Sequence, residues 1–140
     1  MTYRFVEHTA DVGVELEASS YEGLLSEGLL ALTDTLTEVE RVSLEIELSV
    51  DLSAPSREDL LVGWLNELVY LFDSKSVLLR QSDIGVGKEG GEWRLRATVG
   101  GERYDPERHR IKTLIKAVTY HQLAVRSSTS GWQARVVFDI

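Results

Sequence analysis

The sequence predicts an α+β protein: a mainly antiparallel, mixed sheet packed by two long helices and one short helix, in a single compact domain over residues 1–140. Three observations carry that expectation. Residues 41–52 alternate without a break, with Val42, Leu44, Ile46, Leu48, Val50 and Leu52 on one side and Arg41, Ser43, Glu45, Glu47, Ser49 and Asp51 on the other. Such two-residue periodicity belongs to a strand with one wet face, the habit of antiparallel sheets. Two leucine-rich stretches run at helical spacing, each just after a serine able to cap a helix. Several shorter alternating runs, separated by turn residues, fill the rest.

Taken in order, Tyr3 to His8 reads as a short strand, and Val12, Val14, Leu16 and Ala18 as the apolar side of a second. Ser19 or Ser20 caps a helix whose inner face carries Leu24, Leu25, Leu29, Leu32 and Leu36. After the strand over residues 41–52, Ala54-Pro55-Ser56 breaks the chain, and Ser56 opens a second helix. Its apolar residues Leu60, Leu61, Trp64, Leu65, Leu68, Leu71 and Phe72 spread widely around the axis, which makes it the most buried helix expected. Strands follow near Ser76–Ile84 and Glu92–Gly100, joined by a long, flexible glycine-rich loop over residues 85–91. Asp105-Pro106 begins a short helical stretch with Ile111, Leu114, Ile115 and Val118 on one face, and strands near Thr119–Ser127 and Trp132–Ile140 complete the fold. The likeness of Ser20-Tyr21-Glu22-Gly23-Leu24-Leu25 to Ser56-Arg57-Glu58-Asp59-Leu60-Leu61 reads either as duplication or as two similarly capped amphipathic helices.

Composition narrows the function. A chain of 140 residues with 43% hydrophobic and 27% charged residues suits one globular domain. With no cysteine, disulfides, thiolate metal sites and a cysteine nucleophile are excluded, and a reducing compartment is the natural setting. The first residues carry no apolar stretch of signal-peptide length, and no window approaches the roughly 18 apolar residues of a membrane span. A cytoplasmic protein without membrane contact is expected. The net charge of -8, from 23 acidic and 15 basic residues, repels phosphate backbones, so no stable direct binding of nucleic acid is expected. It favours basic protein surfaces or hard cations, and it also serves plain solubility.

Most catalytic signatures are missing. Gly85-Val86-Gly87-Lys88 precedes a strand and not a helix, so its amides cannot form a phosphate-binding helix start. No serine sits in a Gly-x-Ser-x-Gly elbow, and His8, His109 and His121 are scattered, without a His-x-x-x-His pair. Carboxylates are more suggestive. Asp11 lies at the junction of two strand-like runs, beside Gly13, and Asp139 adjoins Ile140, whose terminal carboxylate would add a second negative charge. Such oxygens suit a hard divalent cation, but sequence alone does not bring Asp11 to Asp139, and on the residues alone a solvated strand start with a frayed terminus is the favoured reading. Arg108, Arg110 and Lys112 form a basic island, which fits either an acidic or phosphate-bearing partner or a solvated face with local ion pairs.

Four stretches in order carry a resemblance: His8-Thr9-Ala10-Asp11-Val12-Gly13, Asp105-Pro106-Glu107-Arg108-His109, Lys116-Ala117-Val118-Thr119-Tyr120-His121 and the Asp139-Ile140 end. With Asp59-Leu60-Leu61-Val62-Gly63-Trp64-Leu65-Asn66-Glu67-Leu68 as a central helix, the chain resembles the archease family over essentially its whole length. The resemblance implies a cofactor protein, not an enzyme, that activates the tRNA-splicing RNA ligase. Archeases promote guanylylation of the ligase histidine and so permit multiple turnovers in RNA end joining. It further implies a divalent cation, calcium with magnesium or manganese as alternatives, held by Asp11, Asp139 and Ile140. His8, Asp105, His109, Lys112 and His121 are position-matched candidates for a functional surface. Two other classes stay open: a small metal-dependent phosphoester hydrolase using Asp11 and His8, and a general chaperone or adaptor.

Overall fold

Two helices with apolar residues around much of their circumference need apolar surface on more than one side, and the fold supplies it from two separate sheets. In the computed structural model, which describes residues 1–7 and 11–140, the first sheet has strand order β1-β2-β7-β6, with β1 Thr2–Glu7, β2 Asp11–Ala18, β6 Ala117–Ser128 and β7 Gly131–Asp139. The second has order β3-β5-β4, with β3 Ile46–Ala54, β4 Val77–Glu89 and β5 Glu92–Arg103. Every described pairing is antiparallel, in keeping with the mainly antiparallel arrangement expected, and the strands divide between two sheets.

Helix α1 (Tyr21–Leu36) touches β2 of one sheet and β4 of the other; α2 (Arg57–Lys75) touches β6 and β3. The helices thus form a layer shared by both sheets. Each starts as its serine predicts: the Ser20 hydroxyl accepts from the Gly23 N–H at 3.0 Å, and that of Ser56 from the Asp59 N–H at 3.1 Å. A cap contributes about 1 kcal/mol. Leu24, Leu25, Leu29, Leu32 and Leu36 are all buried, each worth roughly 1.5–3 kcal/mol, so packing and not capping holds α1 in place. The helices meet closely where a β-carbon on Gly28 would stand 3.0 Å from Leu65, and the buried Trp64 indole donates to the Leu25 carbonyl at 2.9 Å. At the start of α2 the Arg57 guanidinium lies 4.2 Å from the Trp93 ring centre and 5.0 Å from that of Trp132, joining the two sheets through one cation.

Three local expectations are corrected. The loop over residues 85–91 is instead strand up to Glu89, closed by a two-residue turn at Gly90 and Gly91 with φ of 59° and 84°. Successive left-handed residues give the turn whose twist matches a hairpin, and glycine adopts them without steric cost. The alternation over residues 41–52 becomes strand only from Ile46, because a 3₁₀ turn at Val39–Arg41 precedes it and the Glu102 side chain takes the Ser43 N–H at 2.8 Å. The short helix after Asp105 is absent. The Asp105 carboxylate accepts from the Glu107 N–H, and its carbonyl accepts from the N–H groups of Arg108 and His109, which closes a compact turn. Beyond it the Lys112 N–H reaches the Leu36 carbonyl and the Thr37 hydroxyl reaches the Arg110 carbonyl, drawing the chain along the end of α1 in extended form.

Strands β4 and β5 slip register between Leu79 and Gln81, leaving Arg80 as an extra residue. Opposite stands Gly101, where a β-carbon would collide with the Leu78 carbonyl. Gly101→Ala is therefore expected to cost about 1–3 kcal/mol, since backbone and not a flexible side chain has to move. Urea unfolding checks this; a midpoint equal to that of the parent would show that the bulge relaxes freely.

Candidate metal centre

The register of the first sheet decides what its carboxylates do. β2 begins at Asp11 and β7 ends at Asp139, and these residues are direct cross-strand partners. On β2 the buried residues Val14, Leu16 and Ala18 face the helices, as Ala134, Val136 and Phe138 do on β7. Asp11 and Asp139 have the opposite parity and share the outer face. Directly opposed residues hold their β-carbons about 4.5–5.5 Å apart, and like charges so placed destabilise a sheet. Both residues are half-buried, and so is Ile140, which packs partly against the core.

Asp139 is held from its other side too. Ala117 of β6 is its second cross-strand partner, and the Lys116 N–H donates to the Asp139 carbonyl at 2.8 Å. The end of β7 is thus an inner position in the sheet and does not fray. Among the described residues, no three Asp, Glu, His or Cys side chains gather to hold a metal. A cation at this end would therefore need main-chain oxygens or groups from outside the chain in addition to the two aspartates.

The other candidates fall into different places. His8 lies outside the described residues. His121 is exposed on a bulge of β6: between Thr119 and Ala124 the strand gains residues that β7 does not match, and Gln122 adopts a left-handed φ of 54°. Next to it, the neighbouring Asp59 carboxylate raises the Tyr120 phenol above its ordinary pKa. Asp105 builds the turn described above. Lys112 pairs with Asp34 at 3.6 Å.

His109 is corrected from a surface candidate to an interior one, at 2% exposure. Its Nδ1 accepts from the Asp105 N–H at 2.9 Å, so the ring proton sits on Nε2, 2.7 Å from Glu102 Oε1. Glu102 is equally buried and also bonds Arg108. Burial by itself raises a carboxyl pKa; the Ser43 N–H, His109 and Arg108 outweigh it and hold Glu102 below the usual range. The basic island is accounted for by ion pairs within the chain: Arg108 with Glu102, Arg110 with Glu38 at 3.5 Å, and Lys112 with Asp34. Glu102 was not legible as functional or structural, since its alternation assigns it to the wet face of β5; only the turn folded over it buries it.

Residues 3–140 match the model of the Archease protein family (MTH1598/TM1083). The chain belongs to the archease family. The archease of Methanosarcina mazei is 40% identical over 99% of this chain and 95% of its own. Those of Methanopyrus kandleri and Pyrococcus furiosus are 33% and 32% identical, covering 100% and 96% of this chain and 100% and 95% of theirs. The solution structure of Methanobacterium thermoautotrophicum protein 1598 superposes with a TM-score of 0.84 at 26% identity, covering 99% of this chain and 98% of that one. The archease fold is thus shared over the full described length. Among the described residues of this archease-family chain, no helix is long and apolar enough to cross a membrane.

Proposed function

We propose that this protein is an accessory activator of the tRNA-splicing RNA ligase, promoting guanylylation of the ligase histidine and multiple turnover in RNA end joining, and that it carries no catalytic centre of its own. Family membership supports the partner, and the opposition of Asp11 and Asp139 is the observation that carries the reading. Two aspartates at directly opposed positions of a sheet fit a hard cation, which offsets like-charge repulsion and accepts oxygen donors. Asp11, Asp139 and the main-chain oxygens of Ile140 would hold it, with calcium the first choice and magnesium or manganese the alternatives. When bound, such an ion supplies positive charge and open coordination positions for phosphate oxygens. The chain's own part is positional. β2 and the 116–118 segment fix Asp139 from both sides, and the strands keep the pair at one end of the sheet, where a partner can approach. An acidic surface of this kind joins a ligase through protein contact and not by competing for RNA, and the cytoplasm is the fitting location.

The test is RNA joining with the cognate ligase limiting and with GTP and divalent metal supplied. Adding this protein should raise product from about one joining event per ligase to many. An active ligase whose turnover the protein leaves unchanged would remove the activator reading.

A further inference from the structure

Strand β6 is an edge strand, and an edge leaves a row of unpaired backbone groups. At Val118 they are paired by one side chain. The Asn66 amide of α2 donates from Nδ2 to the Val118 carbonyl at 3.0 Å, and its Oδ1 accepts the Val118 N–H at 2.8 Å. The carboxamide thereby takes both backbone bonds that a neighbouring strand would make. Its placement matters because of what surrounds Val118. Ala117, one residue earlier, is the partner of Asp139, and the Lys116 N–H binds the Asp139 carbonyl. Beyond Thr119 the ladder with β7 is interrupted until Ala124. The part of β6 that braces Asp139 is therefore only three paired residues long, and the bulge cuts it off from the rest of the strand.

We infer that Asn66 is a positioning residue for the Asp11–Asp139 pair, acting through the Val118 backbone to keep the 116–118 segment against the end of β7. The inference rests on the proposed cation site for its functional consequence, but not for the positioning itself. Residues that orient ligands from behind typically change metal affinity by about 10–100-fold when removed.

Amide hydrogen exchange and calcium titration test it together. In the unaltered protein one opening should release both amides, so those of Val118 and Lys116 should share one protection factor. A difference above about tenfold would overturn the inference. Asn66→Leu keeps the branching at Cγ and removes both bonds; Asn66→Ala serves if the first variant does not fold. Either should speed exchange of the Lys116 amide at least about tenfold, leave β3 and β5 amides unchanged, and weaken calcium binding by about 10–100-fold. Thr33→Val is the control, removing a buried bond to the Leu79 carbonyl in the other sheet; it should lower stability without touching calcium affinity. Unchanged Lys116 exchange in an Asn66 variant, or equal loss of affinity in the control, overturns the positioning role. If the unaltered protein binds no divalent cation, the metal reading fails, while the exchange result still decides what Asn66 does.

Discussion

Asp11→Ala and Asp139→Ala should each return the ligase to its unassisted turnover while leaving the fold intact. The two carboxylates are opposed across β2 and β7, so removing either leaves a single aspartate with too few oxygen donors for a hard cation. Stability separates this from general damage. Calcium that binds only the folded state adds about 2.7 kcal/mol at 100 times its dissociation constant, which raises the unfolding midpoint of the parent protein. The variants should show no such rise. Without metal, Asp139→Asn should be no less stable than the parent, because one of two like charges at directly opposed strand positions, a penalty on the order of 0.2–1 kcal/mol, has gone. Activation by both alanine variants at the parent level would take the carboxylate pair out of the mechanism.

The fold was legible where local pattern and tertiary context agree. The serine caps, the leucine faces of α1 and α2, and the alternation of β2 and β7 are local signals, and the elements formed as they predict. What failed depends on partners distant in sequence. The helix expected after Asp105 has suitable apolar spacing, but its backbone groups are claimed by Asp105, Leu36 and Thr37. Sequence cannot divide seven strands between two sheets, because each strand shows only which of its sides is apolar, not which helix it covers. The same holds for the site. Carboxylates at Asp11 and Asp139 are visible at a glance; that they face each other follows from a pairing of the first and last parts of the chain. His109 carries the family motif, yet it is buried together with Glu102, whose alternation assigns it to the wet face of β5.

Glu102→Gln should destabilise the protein by about 3 kcal/mol at pH 7, the largest stability effect expected of any single change outside the apolar core. Breaking a buried pair typically costs about 3–5 kcal/mol, and the lower end applies because Arg108 is 46% exposed and can turn to water. A glutamine keeps the shape but retains only one accepting oxygen: whichever way it turns, its amide hydrogens face either the Ser43 N–H and His109 Nε2–H on one side or the Arg108 guanidinium on the other, which are already donors. The same bonds make the effect dependent on pH. Glu102 has a lower pKa folded than unfolded, so the unfolded chain takes up the proton first. Its contribution is fully present above the ordinary value of 4.5 and is lost as pH falls through the depressed folded value. The parent should thus lose stability on acidification below about pH 4.5, and Glu102→Gln should lose less over that window. Urea unfolding at pH 7 and pH 4 measures both effects. A variant within about 0.5 kcal/mol of the parent at pH 7 would mean that the turn over Glu102 stands without it. Loss of the bonds should also be felt at a distance, because the chain that Glu102 anchors at Arg108 and His109 runs directly to Lys116 and the brace of Asp139.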